Sequence, residues 1–237
     1  MRFSSVLLFV FWFSYKHAFS QNINIGGVFP TIDHSASFNK KVNYGIYYFA
    51  AFPLINYDKP DIKKDTYFHL FYAEHALTFS PSNGLSFTGS YVYQRANVVY
   101  DNYSNENRFY FQGKFNQFIK ALSLSHRIRF DGRFIEDRST NKRPFTHRVR
   151  YFIGATYPIN NNTYLTGYEE LFFNTAKSPI FKYEENWAYA GFGRSLNKNN
   201  KLEFGLLYVT WDIGNKNWFN QYYFQLTWIN QIKLTKD

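Results

Sequence analysis

Two stretches in the middle of the chain set arginine at alternate positions. Across residues 122–138, Arg127, Arg129 and Arg133 share one face with Ser123, Ser125 and Asp131, while Leu122, Leu124, Ile128, Phe130 and Phe134 share the other. The same pattern returns with Arg148, Arg150 and Thr156 opposite Val149, Tyr151, Ile153 and Ala155. A period of two is that of a β-strand, whose successive side chains leave on opposite faces. A guanidinium presents a planar fork that suits carboxylate and phosphate. Five on one wall could therefore hold an anion. Asp131, Glu170 and Glu203 could equally serve as counter-charges and fill the same space with salt bridges.

Other groups with chemical potential fail on geometry. Ser125 and His126 are neighbours on one strand, so they point apart and cannot form a nucleophile and base pair. His69 and His75 share a phase, but Glu74 lies on the opposite one. His147 beside Arg148 has the same defect. The chain has no cysteine, which excludes thiolate metal clusters, disulfides and lipidation at cysteine. It also contains no HExxH motif, calcium loop or glycine-rich phosphate loop. No catalytic residue, metal ligand or cofactor site is assigned, and the expectation is that the chain is not an enzyme. A hydrolase is the least favoured alternative.

The elements that must carry the arginines follow from composition. Aromatic residues make up 23% of the chain, with 28 Phe and 21 Tyr, and hardly any segment reads as a helix. One-sided strands recur: Leu85, Phe87, Tyr91 and Tyr93; Phe109, Phe111 and Phe115 against Arg108, Gln112 and Lys114; Leu202, Phe204, Leu206 and Tyr208; and Tyr222, Phe224, Leu226 and Trp228. A β-sandwich core would favour Val, Ile and Leu on its buried face. An apolar aromatic face alternating with a polar one, at a mean hydropathy of −0.43, is the pattern of a transmembrane β-barrel. Arginine at the lipid midplane costs roughly 2 to 4 kcal/mol, so five of them must face the lumen. Trp187, Trp211, Trp218 and Trp228 read as interfacial girdles.

The start of the chain has the features of a secretory signal. Arg2 precedes an apolar run from Val6 to Phe13, too short to span a bilayer, and Ala18-Phe19-Ser20 offers small residues for cleavage. The expected division is a signal peptide over residues 1–20 and an outer-membrane barrel over residues 21–237. Removing Arg2 and Lys16 leaves 25 basic against 17 acidic residues, about +8. The basic residues are interleaved with apolar ones and form no recognition helix, which disfavours nucleic acid.

Short polar turns near residues 39–41, 81–84, 119–120, 160–162 and 197–200 alternate with longer or more charged connections at 57–65, 99–106, 139–143, 175–182 and 214–217. Outer-membrane barrels separate their periplasmic and extracellular ends in this way. Counting strands between them gives eleven, whereas single-chain bacterial barrels close with an even number. Dividing residues 22–38 near Pro30 gives twelve antiparallel strands, the expected number. Ten is the alternative, with residues 21–41 in the lumen or periplasm.

His126-Arg127-Ile128-Arg129-Phe130-Asp131-Gly132-Arg133, then Arg148-Val149-Arg150-Tyr151, then Tyr168-Glu169-Glu170-Leu171-Phe172-Phe173-Asn174 resemble the outer-membrane barrel family known as domain-of-unknown-function family 2490. Asp131 stands where that family usually has Glu, Glu169 where it has Asn, and Trp187 where it has Arg. The last departure removes one lumenal arginine. A fainter similarity, at His34-Ser35-Ala36-Ser37-Phe38 and the inward arginines, is to oligogalacturonate-specific porins. The resemblance implies a Gram-negative outer-membrane location and no activity. The functional expectation is a narrow, porin-like channel or binding barrel for anionic solutes, acidic oligosaccharides among them. A closed structural or assembly barrel is the alternative. The expected surroundings are outer-membrane lipid and lipopolysaccharide, with the chain a monomer.

Overall fold

The computed structural model describes residues 22–56, 68–101, 103–176, 181–214 and 217–234. The expected signal peptide and its cut after Ser20 lie outside these residues. Alternating sequence becomes alternating structure in eleven strands: β1 (Asn22–Ser37), β2 (Val42–Asn56), β3 (Leu70–Ser82), β4 (Leu85–Ala96), β5 (Ser104–Ile119), β6 (Leu122–Ile135), β7 (Phe145–Pro158), β8 (Thr163–Asn174), β9 (Lys182–Ser195), β10 (Asn200–Gly214) and β11 (Asn217–Lys233). Each pairs antiparallel with its sequence neighbour. β1 then pairs with β11 in parallel, from Asn22↔Trp218 to Ser37↔Lys233, and the sheet closes into a barrel.

The all-β barrel is as the alternation predicts, but the described residues form eleven strands and not twelve. The division at Pro30 does not occur. Pro30 points outward within an unbroken β1, paired with Leu226 on one side, while the ladder to β2 passes from Val28↔Phe52 to Thr31↔Phe49. Proline removes one hydrogen-bond donor, and the remaining pairs of β1 hold the strand together. An odd number closes because the first and last strands run the same way.

The two faces differ sharply. Outside, Phe109, Phe111, Ile128, Phe130, Phe204, Leu206 and Phe224 are exposed, Leu206 to 70%. Inside lie the charged side chains and a buried aromatic group that includes Phe29, Phe49, Tyr72, Tyr189 and Tyr223. Glycine shapes one lumenal wall. A Cβ on Gly191 would sit 2.1 Å from the Tyr189 hydroxyl, and one on Gly193 would sit 2.1 Å from the Tyr164 ring. Both rings therefore lie flat over bare backbone, which narrows the lumen along β8 to β10.

Candidate functional site

The inward phase of β6 and β7 is the one that the arginines require. Arg129↔Arg150 and Asp131↔Arg148 are direct cross-strand partners, and Leu122, Leu124, Ile128, Phe130 and Phe134 take the outer face. All five predicted arginines thus converge on one lumenal wall. What surrounds them is a continuous set of ion pairs. Arg133 grips Glu106 with both prongs at 2.8 Å, and Arg108 reaches the same carboxylate at 2.7 Å. Arg148 bonds Asp131 at 2.8 Å and Glu185 at 3.1 Å. Arg150 holds Glu170 through two bonds of 2.8 Å and lies 3.7 Å from Asp131. Arg127 bonds Glu170 at 2.7 Å. Arg129 donates to Gln112 at 2.9 Å and stands 3.8 Å from Glu74, whose carboxylate also accepts from the Tyr72 and Tyr110 hydroxyls.

Aromatic faces complete the wall. The Arg129 guanidinium lies 3.7 Å from the centre of the Tyr110 ring, and Arg148 and Arg150 lie 4.7 and 4.3 Å from that of Phe172. Delocalised cations on ring faces gain electrostatic attraction while shedding water.

Of the expected counter-charges, Asp131 and Glu170 are central to this network. Glu203 is not. It faces the lumen on β10 but accepts a hydrogen bond from Tyr164 at 2.7 Å and has no arginine within ion-pair distance among the described residues. The correction has a simple cause, since Glu203 lies toward the short-turn end of its strand, across the sheet from the arginines. Sequence reasoning undervalued Arg108, Glu106, Glu74 and Glu185. The first two were detectable, because Glu106 and Arg108 extend the inward phase already visible at Gln112 and Lys114. Glu185 keeps the inward phase of Trp187 and Tyr189, and the register shift toward Phe173↔Tyr183 comes only before it on the strand.

Two tryptophans are also corrected. Trp187 and Trp211 point into the lumen with Tyr189 and Val209 and form no outer girdle, while Trp228 does face outward. The Trp187 ring lies 5.9 Å from Phe29 and 5.8 Å from Phe49, and so reaches from β9 to β1 and β2. Phe49 in turn stacks on Tyr72 at 4.5 Å, and Trp187 approaches Phe172 at 6.0 Å. An aromatic layer therefore crosses the waist and meets the arginine wall at Phe172 and Tyr72. Around it runs a cavity of about 1470 Å³, lined from Lys198 and Lys233 at the short-turn end to His69 and Asn97 at the other.

Potential catalytic side chains stay apart. Ser125 bonds Asn116 inside, whereas His126 meets Tyr151 outside, and His75 lies against Tyr44 on the outer face of β3. Fold and interior together define a closed up-and-down barrel with an ion-paired, aromatic-braced lumen and a largely apolar exterior, interrupted on the outward phase of β8 and β9 where Asn186 donates to Glu169 at 2.8 Å. The chain belongs to the family described as protein of unknown function (DUF2490), whose profile matches residues 10–220. No curated protein matches the chain.

Proposed function

We propose that this protein is a bacterial outer-membrane barrel that works as a closed, internally braced barrel with solute-accessible vestibules, and not as an open pore. The observation that carries the membrane reading is the inside-out distribution of polarity. Phe109, Phe111, Phe130 and Leu206 are each more than half exposed, while Arg108, Asp131 and Glu170 are buried in the lumen. Such an outer surface in water would be an aggregation surface; in a bilayer it is the normal one. Delivery by a cleaved signal peptide, contact with lipid and lipopolysaccharide, and a monomeric, non-enzymatic role fit the same reading.

The lumen favours closure over conduction. In the ion-pair network, six arginines (108, 127, 129, 133, 148 and 150) face five carboxylates (Glu74, Glu106, Asp131, Glu170 and Glu185). The surplus positive charge that an anion-selective pore needs is thus largely cancelled. The Trp187–Phe29–Phe49 layer narrows the waist to the space that runs beside it.

One reconstitution tests both halves. Spin labels at Ile128→Cys and Phe130→Cys should be relaxed by lipid-soluble oxygen in vesicles, and planar-bilayer recordings should show little current until Phe29→Ala and Trp187→Ala are combined. Labels shielded from oxygen would sink the membrane reading. Steady current through the wild type would sink the closed waist and return the anion channel to first place.

A further inference from the structure

One part of the lumen does not balance. On the short-turn side of the waist, Lys114 and Arg127 are direct cross-strand partners on the inward face. Like charges set opposite one another on neighbouring strands destabilise a sheet. Arg127 shares its carboxylate, Glu170, with both prongs of Arg150, so two guanidinium groups divide one anion while Lys114 stands beside Arg127 outside that pair. The Arg127 Nε makes no hydrogen bond. Lys114 enters no ion pair with any described carboxylate; the charges that act on it are those of Arg127 and, across the lumen on β1, Asp33. Asp33 in turn has no cation within ion-pair distance among the described residues and lies near two further carboxylates, Glu74 and Glu203, with His34 on its own strand. Both Lys114 and Asp33 line the cavity, as do Tyr47, the cross-strand partner of Asp33, Ser86, the cross-strand partner of Lys114, and Tyr168.

The closed-barrel reading leaves this vestibule unexplained. Two cations without a full complement stand on one wall, a carboxylate without a described cation stands on the other, and all three line the same cavity. A simple anion would satisfy the first wall and be repelled by the second. A simple cation would do the reverse. We propose that this vestibule binds a small dipolar solute of the amino-acid class, its carboxylate on Lys114 and Arg127 and its ammonium on Asp33. Tyr47, which is the cross-strand partner of Asp33, and Tyr168 would flank the aliphatic part.

The test uses the refolded full-length barrel in micelles and a ruler of ω-amino acids: glycine, β-alanine, 4-aminobutyrate and 6-aminohexanoate, with acetate and ethylamine as half-ligands. Calorimetric titration should give saturable binding for at least one member of the series and at least tenfold weaker binding for either half-ligand. Lys114→Met and Asp33→Asn should each weaken that binding at least tenfold, and Lys114→Arg should restore most of it. Lys114→Met should leave the thermal unfolding temperature of the empty barrel unchanged or higher, because it removes a repulsion; a clear fall would mark Lys114 as a structural cation and overturn the assignment. Absence of binding across the series would overturn it too. So would acetate binding as tightly as the amino acids with no effect of Asp33→Asn, which would leave an anion site only.

Discussion

At the scale of single residues, the lumen is a case of buried charges that stabilise only as a set. Asp131 is 2% exposed and its Oδ2 faces both Arg148 and Arg150, while Oδ1 has no hydrogen-bond partner. Removing one member of such a group leaves the others desolvated and uncompensated, which costs about 3 to 5 kcal/mol. Asp131→Ala should therefore lower the free energy of unfolding by about that amount in urea titrations of the vesicle-inserted barrel. Glu203→Gln, which disturbs only the bond from Tyr164, should cost about 1 kcal/mol. Equal losses at the two sites would mean that the arginine network contributes no more than an ordinary hydrogen bond. The isosteric change Asp131→Asn separates charge from volume and should resemble the alanine variant more than the wild type.

Among the elements, β8 to β10 show how glycine and tyrosine divide the work of a curved wall. Tyr164 lies over Gly193 and Tyr189 over Gly191, and a Cβ on Gly205 would meet the Ala190 carbonyl at 2.3 Å. Gly193→Val should push the Tyr164 ring off the wall, break its bond to Glu203 and lower the unfolding temperature, whereas Gly89→Ala, where a Cβ meets nothing within 4 Å, should be nearly silent. A silent Gly193→Val would refute the packing. Much at this scale was readable from sequence alone, because period two fixes the phase of a strand once one residue is placed: the outward Phe109, Phe111 and Phe130 and the inward Arg127 to Arg150 follow directly. The five short turns and four of the five other connections follow as well; the last, between Gly214 and Asn217, is only two residues long. What was not readable is whatever breaks the period or lies beyond it. Glu185 shares the phase of Trp187, which reads as interfacial by residue type, and the partners of each arginine depend on which strands lie side by side. The inward turn of Trp187 and Trp211 contradicts residue-type preference, since a tryptophan reads as interfacial until its phase is followed from Tyr189 and Val209. Pro30 suggested a break because the rule against proline in a strand is local, while the stability of β1 comes from partners on two sides.

For the molecule as a whole, ten of the eleven strand pairings join sequence neighbours, and one joins the ends. Across that parallel seam Asn220 donates to Asn24 at 3.1 Å, over a separation of 196 residues. A hairpin forms quickly because its turn holds the strands together; nothing local brings β1 to β11. Closing a loop of that length rather than one of a dozen residues costs about 2.5 kcal/mol more in chain entropy, and pairs of such high contact order form late. Since the chain has no cysteine of its own, Val28→Cys with Phe224→Cys, registered partners on the outer face, gives a clean reporter of the seam. During refolding into vesicles this disulfide should become trappable only after a pair placed across a neighbouring hairpin, such as Phe87→Cys with Gly113→Cys. Simultaneous trapping would argue for concerted closure. A ring made from a linear chain has one joint that no turn enforces, so until that joint sets, the growing sheet carries two raw edges. A folding intermediate of this protein is accordingly an open, sticky ribbon, whose edges stay available to any other strand until the last strand meets the first.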